Sequence, residues 1–517
     1  MRFAAIHSGP LLKWHATAIG KLLERPGTAL AQRSELAALR SSRSTLAMLG
    51  YRSHGAMLDD CTVNDVPSAR VPDGDLDFCI AFDSCAAAAA PPSRMGTWVF
   101  AVDGAENAPG LNAFCEQRDA VEARLLQIDS AGVVTCLCAG ALGVNRFSLA
   151  LTIDGLLEEL SRWPAAALRD IEAGLMEIVP ASPPAAAREP TMPVVARAVV
   201  ALGLCRAAAI MEKRFYTFSW NIGIIAATPA QIVRAPVLPP VAWCEAGRRR
   251  FFADPFGAII DGVHSAYCEE MNPSTNRGVI LRLELVDGEL QPTGRVLDES
   301  YHLSYPYVFE HESAWYAIPE SGQNEEVALY RLENTGRAWR KQSVLIPGLR
   351  AVDSTVFSHA GKYWLLCGVN DDGPNHKLFV YYADALTGPW QPHLRNPVKV
   401  DIRSARPAGA PFLLDGVLHR PAQDCTRKYG RRVSIVRVNA IDERRYEEET
   451  IAVIEPPRGR YARGLHTLSA IGASTLIDGL HRDFSLRAAG RRTLRSFRRF
   501  FGARNERESS PPSQPTG

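Results

Sequence analysis

At 517 residues the chain is long enough for about two to four domains, each with a core of its own. A composition of 46% hydrophobic and 22% charged residues is that of a globular protein and excludes global disorder, collagen-like and coiled-coil chains. The net charge of +2 is uneven: residues 485–517 hold eight Arg and two Glu, a surplus of six positive charges that leaves the rest at −4. A slightly acidic body argues against nucleic acid as a partner.

Eleven cysteines, an odd number without any CxxC pair, sit mostly in apolar runs such as Asp77-Phe-Cys-Ile-Ala. That usage fits free, buried thiols in a reducing compartment. Met1-Arg-Phe-Ala-Ala-Ile lacks the features of a secretory leader, and the most apolar long stretch, Val194 to Met211, is interrupted by Arg197 and Arg206. No bilayer span is expected there, and the expected location is the cytoplasm.

Residues 1–180 alternate between strands and helices. Arg2-Phe-Ala-Ala-Ile-His reads as a strand, and Trp14-His-Ala-Thr-Ala-Ile-Gly-Lys-Leu-Leu has helical spacing. Asp77–Asp83 and Thr97-Trp-Val-Phe-Ala-Val-Asp are further strands. Leu125-Leu-Gln-Ile-Asp and Val133-Val-Thr-Cys-Leu form a pair around Ser130-Ala-Gly, and Ile153 to Trp163 is a helix. The alternation predicts an α/β layer with a mainly parallel sheet. Four prolines within residues 181–193 mark a linker, and a helix over roughly 194–212 completes the connecting segment 181–215.

From 216 to 484 the chain is β-rich and repetitive. Five copies begin at Ala253-Asp-Pro-Phe, Tyr305-Pro-Tyr-Val-Phe, Val352-Asp-Ser-Thr-Val-Phe, Pro407-Ala-Gly-Ala-Pro-Phe and Leu465-His-Thr-Leu. Aligning Phe256, Phe309, Phe357, Phe412 and Leu468 gives spacings of 53, 48, 55 and 56 residues. Short strands at that period predict a five-bladed β-propeller, in which each blade needs neighbours to bury its faces. The fifth copy is short, and a strand near 217–226 is available to complete its blade. Residues 485–517 form a basic tail expected to be disordered, although Leu494, Phe497 and Phe501 would share one apolar stripe on a helix among arginines. Such a stripe would suit peripheral contact with an anionic membrane, expected at the inner membrane; a solvated basic tail without a partner is the alternative.

In a propeller the inner strands face a common axis, where one polar residue per blade can converge. Asp254 and Asp353 precede the repeated Phe by two and four residues. Glu269 and Glu320 follow the turn residues Gly262 and Ser313 by seven, and Gln423 holds that place in the fourth copy with Asp424 beside it. Carboxylates gathered at one pocket hold each other's pKa values apart, as glycosyl chemistry requires. Asp254, Glu320 and Asp353 are the catalytic candidates. Glu269, Tyr305, Arg406, Gln423, Asp424 and His466 are the binding candidates, with Arg403 and Arg406 able to offer a guanidinium fork to an anionic sugar or phosphate. Turn capping and internal ion pairs are the alternative reading of each. No GxGxxG, Walker, HExxH or GxSxG motif occurs, and neither cofactor nor metal is expected.

Phe252-Ala-Asp-Pro-Phe, Tyr305-Pro-Tyr-Val-Phe-Glu, Ile318-Pro-Glu-Ser, Val352-Asp-Ser-Thr-Val-Phe and Arg420-Pro-Ala-Gln-Asp-Cys resemble the propeller at the N-terminus of plant glucosamine inositolphosphorylceramide transferases. That domain is similar in turn to the propellers of glycoside hydrolase families 43 and 32. The resemblance implies a blade-one Asp as base or nucleophile, matched by Asp254, and a second Asp that tunes it, matched by Asp353. It also implies a Glu acid from a later blade. The fourth copy, Ser404-Ala-Arg-Pro-Ala-Gly-Ala-Pro-Phe, has none, which leaves Glu320 of the second copy.

Asp77–Asp83, Arg94-Met-Gly-Thr-Trp-Val-Phe and Gln127-Ile-Asp-Ser-Ala-Gly-Val-Val resemble the Rossmann-like N-terminal fold of formyltransferases. The family's Asn-x-His-x-Ser motif would follow Gly96, where Trp98-Val-Phe-Ala-Val-Asp stands instead. Asp129 is the one match to its catalytic Asp and also fits a turn; His7 reads as structural. Without an imidazole the domain lacks its acid–base group, so a degenerate relative is expected. The combined expectation is a carbohydrate-active protein that binds, transfers or cleaves a sugar or lipid-linked glycan at the propeller axis, in bacterial envelope glycan synthesis or modification. A non-catalytic glycan-binding scaffold and a formyltransferase acting on an amino sugar are the alternatives.

Overall fold

The computed structural model describes residues 1–36, 43–51, 57–59, 75–105, 108–184, 188–235, 237–247 and 250–486. The apolar stripe read in the basic tail, and Cys61, lie outside these residues. The ten cysteines among them are all free.

The first domain is built on a six-stranded sheet in the order Ala29–Leu36, Arg2–Ser8, Phe78–Ala81, Thr97–Val102, Ala120–Ile128, Val134–Gly143. The first four strands are parallel and the last two antiparallel, so the layer is mixed rather than parallel throughout. Arg2–Ser8 and Phe78–Ala81 lie inside the sheet and are covered on both faces, which accounts for their unbroken apolar runs. Phe78 stacks on Trp98 at 4.2 Å and on Phe3 at 5.3 Å, forming the centre of the core. Helices Lys13–Leu23, Leu149–Leu160 and Trp163–Glu172 cover it. Ser148 caps the second of these by accepting from the Leu151 N–H. The Asp129 carboxylate accepts from the Ala131 and Val133 amides, a turn-forming role. His7 is buried at the end of its strand with Nδ1 on the Gly9 carbonyl.

The connecting helix runs from Met192 to Phe215 and passes directly into the first propeller strand. Its Val195, Ala198 and Leu202 join the first domain's core.

The propeller has five sheets around one axis. Blade one comprises Phe251–Ile260, Val263–Asn272, Arg277–Val286 and Glu289–Leu297; blade two comprises Ser304–His311, Ala314–Glu320, Glu326–Glu333 and Ala338–Pro347. Blade three is built on Ala351–His359, Lys362–Val369 and Lys377–Ala383, and blade four on Phe412–Leu414, Val417–Asp424, Arg432–Ile441 and Tyr446–Ile454. Blade five takes strands from both ends of the domain: Leu468–Ile471 and Ser474–Phe484 are continued by Tyr216–Ile225 and Val241–Cys244. Pairing the two ends closes the ring and leaves no free edge where the chain enters and leaves it.

The two units pack on each other. Ile402 N–H donates to the Ala141 carbonyl at 2.9 Å, buried Lys377 pairs with buried Glu159 at 2.7 Å, and Arg427 and Arg431 both reach Asp119 at 2.8 Å. A cavity of about 590 Å³ lies between them, lined by Arg162, Arg169, Lys377, Arg395 and Lys399 together with Glu159, Asp170 and Asp372.

Candidate active site

The inner strands of blades one to three share a β-bulge. Their register breaks between Ala253 and Phe256, between Ser304 and Tyr307, and between Val352 and Thr355. The residue entering each break is left-handed: Asp254 has φ 52°, Tyr305 42° and Asp353 53°. A bulge re-aims a side chain, and here it turns three residues toward the axis. It also corrects the repeat alignment. Phe256 corresponds to Tyr307 and Thr355 rather than to Phe309 and Phe357, so Asp254, Tyr305 and Asp353 are one position of the repeat.

The second strands supply the next layer. Glu269 lies opposite Ala253 and Glu320 opposite Ser304, each beside the bulge of its own blade. Gln423 comes from the second strand of blade four and Asp478 from that of blade five. Five carboxylates thus gather from blades one, two, three and five, and all but the half-buried Glu320 are buried.

Two sub-networks hold them. Around Asp254, the Thr467 hydroxyl donates to its carboxylate at 2.8 Å and the Asp254 amide donates to Asp478 at 3.3 Å. His466 bridges these two acids, with Nε2 at 3.5 Å from Asp254 and Nδ1 on Asp478. Its ring stacks on Trp220 at 4.0 Å. A Cβ at Gly430 would come within 2.9 Å of that indole, so the loop passes there only as glycine. Around Asp353, Arg406 Nε donates at 2.5 Å and Gln423 Nε2 at 2.9 Å, while the Asp353 amide donates to Glu320 at 3.2 Å. Arg406 also reaches Asn375 at 3.1 Å and lies over the Tyr429 ring at 4.8 Å. Tyr305 joins blades two, three and four: its hydroxyl accepts from the Gly409 amide at 2.7 Å and bonds Thr355 at 3.1 Å.

With five acids against one guanidinium and one imidazole, not all can ionise together. Burial, reinforced by Asp353 and Asp478, pushes the Asp254 carboxyl up to about 6 against the pull of His466. Burial and Asp353 push Glu320 to about 8 despite Arg406. Glu269 is raised well above the carboxylate range by burial and then by Asp254 and Glu320. Burial would lower His466, but Asp478 and Asp254 outweigh it and raise the imidazole to about 9. Asp254 and Glu320 therefore straddle neutrality, one suited to accept a proton and the other to hold one.

Asp254, Glu269, Tyr305, Glu320, Asp353, Arg406, Gln423 and His466 come together at the axis; two sequence candidates do not. Asp424 bonds Arg432 at 2.6 Å and the Thr426 amide at 3.0 Å, because adjacent strand residues point to opposite faces and Gln423 takes the inward one. Arg403 pairs with Asp401 and with Glu122 of the first domain, away from the axis. Asp478, Thr467, Asn375 and Tyr429 were missed. Asp478 follows Gly472 by six residues, so the seven-residue spacing that found Glu269, Glu320 and Gln423 lands on Gly479 and passes it over. Tyr429 lies on a loop outside the repeat and carried no signal.

Asp254, His466 and Asp478 each place a ligand atom within 4.8 Å of the others, a spacing that could hold a cation. With the imidazole protonated up to about pH 9, the same three groups already form a closed ion triad.

The class so defined is a five-bladed β-propeller with an acidic axial site. Residues 221–470 match the family described as glucosamine inositolphosphorylceramide transferase 1, N-terminal. The chain is similar to the protein of that name from Arabidopsis thaliana, at 34% identity over 226 residues, covering 41% of this chain and 29% of that one. It is also similar to that from Oryza sativa subsp. japonica, at 31% over 261 residues, covering 47% and 34%. The chain thus spans about a third of the length of these relatives. Among solved structures it is similar to a family 117 glycoside hydrolase of Zobellia galactanivorans, with 13% identity, 53% and 92% coverage and a TM-score of 0.34. An exo-1,5-alpha-L-arabinanase from a bovine ruminal metagenomic library gives 12% identity, 41% and 87% coverage and a TM-score of 0.32. The matched family region leaves residues 1–180 untouched, so the likeness to formyltransferases gains no support from it. The bacterial setting gains none from plant relatives.

Proposed function

We propose that the propeller accommodates a sugar or glycolipid headgroup at its axis and transfers or cleaves a glycosyl unit. Asp254 acts as base or nucleophile, Glu320 delivers the proton, and Asp353, held by Arg406 and Gln423, sets the charge between them. The observation that carries this reading is the convergence of Asp254, Glu320 and Asp353 from blades one, two and three, with the Asp353 amide on Glu320 and Arg406 on Asp353; burial and mutual repulsion raise Asp254 and Glu320 to different extents. The half-exposed ring of Tyr429 beside Arg406 offers a stacking face at the rim, as sugar sites use. The names of the plant relatives support a glycolipid or carbohydrate substrate. The first domain is read as a non-catalytic support for blades three and four. Mass spectrometry of glycolipid and amino-sugar glycosides incubated with the full chain tests the reading. Asp254→Asn should lower turnover by at least about 100-fold while glycan binding persists. Undiminished turnover in that variant would exclude Asp254 from the chemistry.

One observation favours a second reading, glycan binding without turnover. Arg406 stands in the fourth-copy segment where the acid is expected, and it neutralises Asp353. Binding by the wild-type chain with no product from any glycoside would select it.

A further inference from the structure

The helix Met192–Phe215 is long and apolar enough to cross a membrane by length and composition, yet only 17% of its apolar window is buried. An all-round apolar helix normally has every face covered by protein or by lipid. Val195, Ala198 and Leu202 cover one face, against the first domain. The 100° step of the helix puts Val200, Leu204 and Met211 opposite that face and Met192, Val199 and Ile210 on the adjoining flank, and these six are 40% to 67% exposed. Ala196, Gly203 and Ala207, also exposed, fill the space between them.

The surface continues past the helix. Phe484 stacks on Phe215 at 6.2 Å, and the Ser485 amide donates to the Phe215 carbonyl at 2.8 Å. Phe218, Phe484 and Leu486 are exposed beside it.

This helix does not pass through a bilayer. The domain before it and the propeller after it are bound to each other by Lys377–Glu159, by Arg427 and Arg431 on Asp119, and by the Ile402–Ala141 backbone bond. Both therefore lie on one side. Cations frame the apolar face: Arg197 and Arg206 fall on its two edges, and Lys213 and Arg214 close its last turn. Glu212, the one acid of the helix, is engaged by Arg463 and Arg482. The chain then leaves this end of the helix into a segment, 487–517, with eight Arg and two Glu.

We infer that this face is a docking surface for an anionic phospholipid bilayer, with the helix lying flat at the interface. Apolar side chains enter the acyl boundary while the framing cations reach the headgroups. A second copy of the chain fits less well, since both edges of the face are cationic. The inference stands on the helix alone and does not rest on the chemistry proposed for the propeller.

The test is sedimentation of the full chain with vesicles of phosphatidylcholine, with and without phosphatidylserine. Wild type should pellet with the anionic vesicles, and Val200→Glu combined with Leu204→Glu should reduce the bound fraction by about tenfold or more. A chain ending at residue 486 should keep a binding that is still sensitive to the double substitution. Hydrogen exchange of the unmodified chain guards against a folding defect: anionic vesicles should protect residues 192–215. Equal pelleting of wild type and the double variant, absence of protection in the helix, or a vesicle-indifferent dimer that the double variant dissociates would each overturn the inference.

Discussion

Asp254, Tyr305 and Asp353 each adopt a left-handed backbone that costs a non-glycine residue of order 1–3 kcal/mol. The side chains so aimed sit among groups whose protonation opposes unfolding at low pH. Asp254 and Glu320 have folded values of about 6 and about 8, above ordinary carboxylates, so their ionisation weighs against the folded state as pH rises through that range. His466, raised to about 9, adds stability that is complete below its ordinary value and lost as pH rises through 9. All three act in one direction, Asp254 between about pH 4 and 6 and Glu320 and His466 beyond it, so thermal melts should show Tm falling from pH 6 to pH 9 through the latter two, with a shallower slope in Glu320→Gln. A Tm that rises over that interval would contradict the assignment. Arg406→Leu leaves buried Asp353 without its cation and should cost about 3–5 kcal/mol in urea unfolding, far more than Arg403→Leu at the domain surface.

The repeat of about 50 residues made the blades legible in the sequence, because each blade restates the same turn and apolar strand. The bulge was not legible, since aligning on Phe256, Phe309 and Phe357 hides a two-residue offset that only strand pairing reveals. Asp424 was misplaced for a simpler reason: the alternation of a strand allows Gln423 or Asp424 inward, not both. Arg197 and Arg206 argued against a bilayer span, but only the fold shows that they border a largely exposed apolar face. At this scale Gly409 is the critical residue. Its φ of +136° and the Leu468 carbonyl, which a Cβ would meet at 1.9 Å, exclude any side chain. Gly409→Ala should destabilise by well over the ~1 kcal/mol typical of point substitutions, measured by chemical denaturation. Blade five makes a second demand. A chain beginning at residue 250 lacks Tyr216–Ile225, exposes the edge of Ser474–Phe484, and should aggregate during size-exclusion chromatography.

For the molecule as a whole, the two units share ion pairs and a backbone bond, and Trp98, which stands where the resemblance to formyltransferases would place their Asn-x-His-x-Ser motif, is buried in the first domain's core. No folate-dependent formyl transfer to an amino sugar is expected from the full chain, and detectable product would reverse that view. In the proposed reaction one buried carboxyl at the axis accepts a proton, and another, half-buried, holds one. This assignment is tested most directly by the pH profile of turnover for whichever glycoside the full chain consumes. The expected profile is a bell with limbs near 6 and 8, belonging to the coupled cluster, whose alkaline limb disappears in Glu320→Gln as the rate falls. A flat profile, or a bell unchanged by Glu320→Gln, would contradict it.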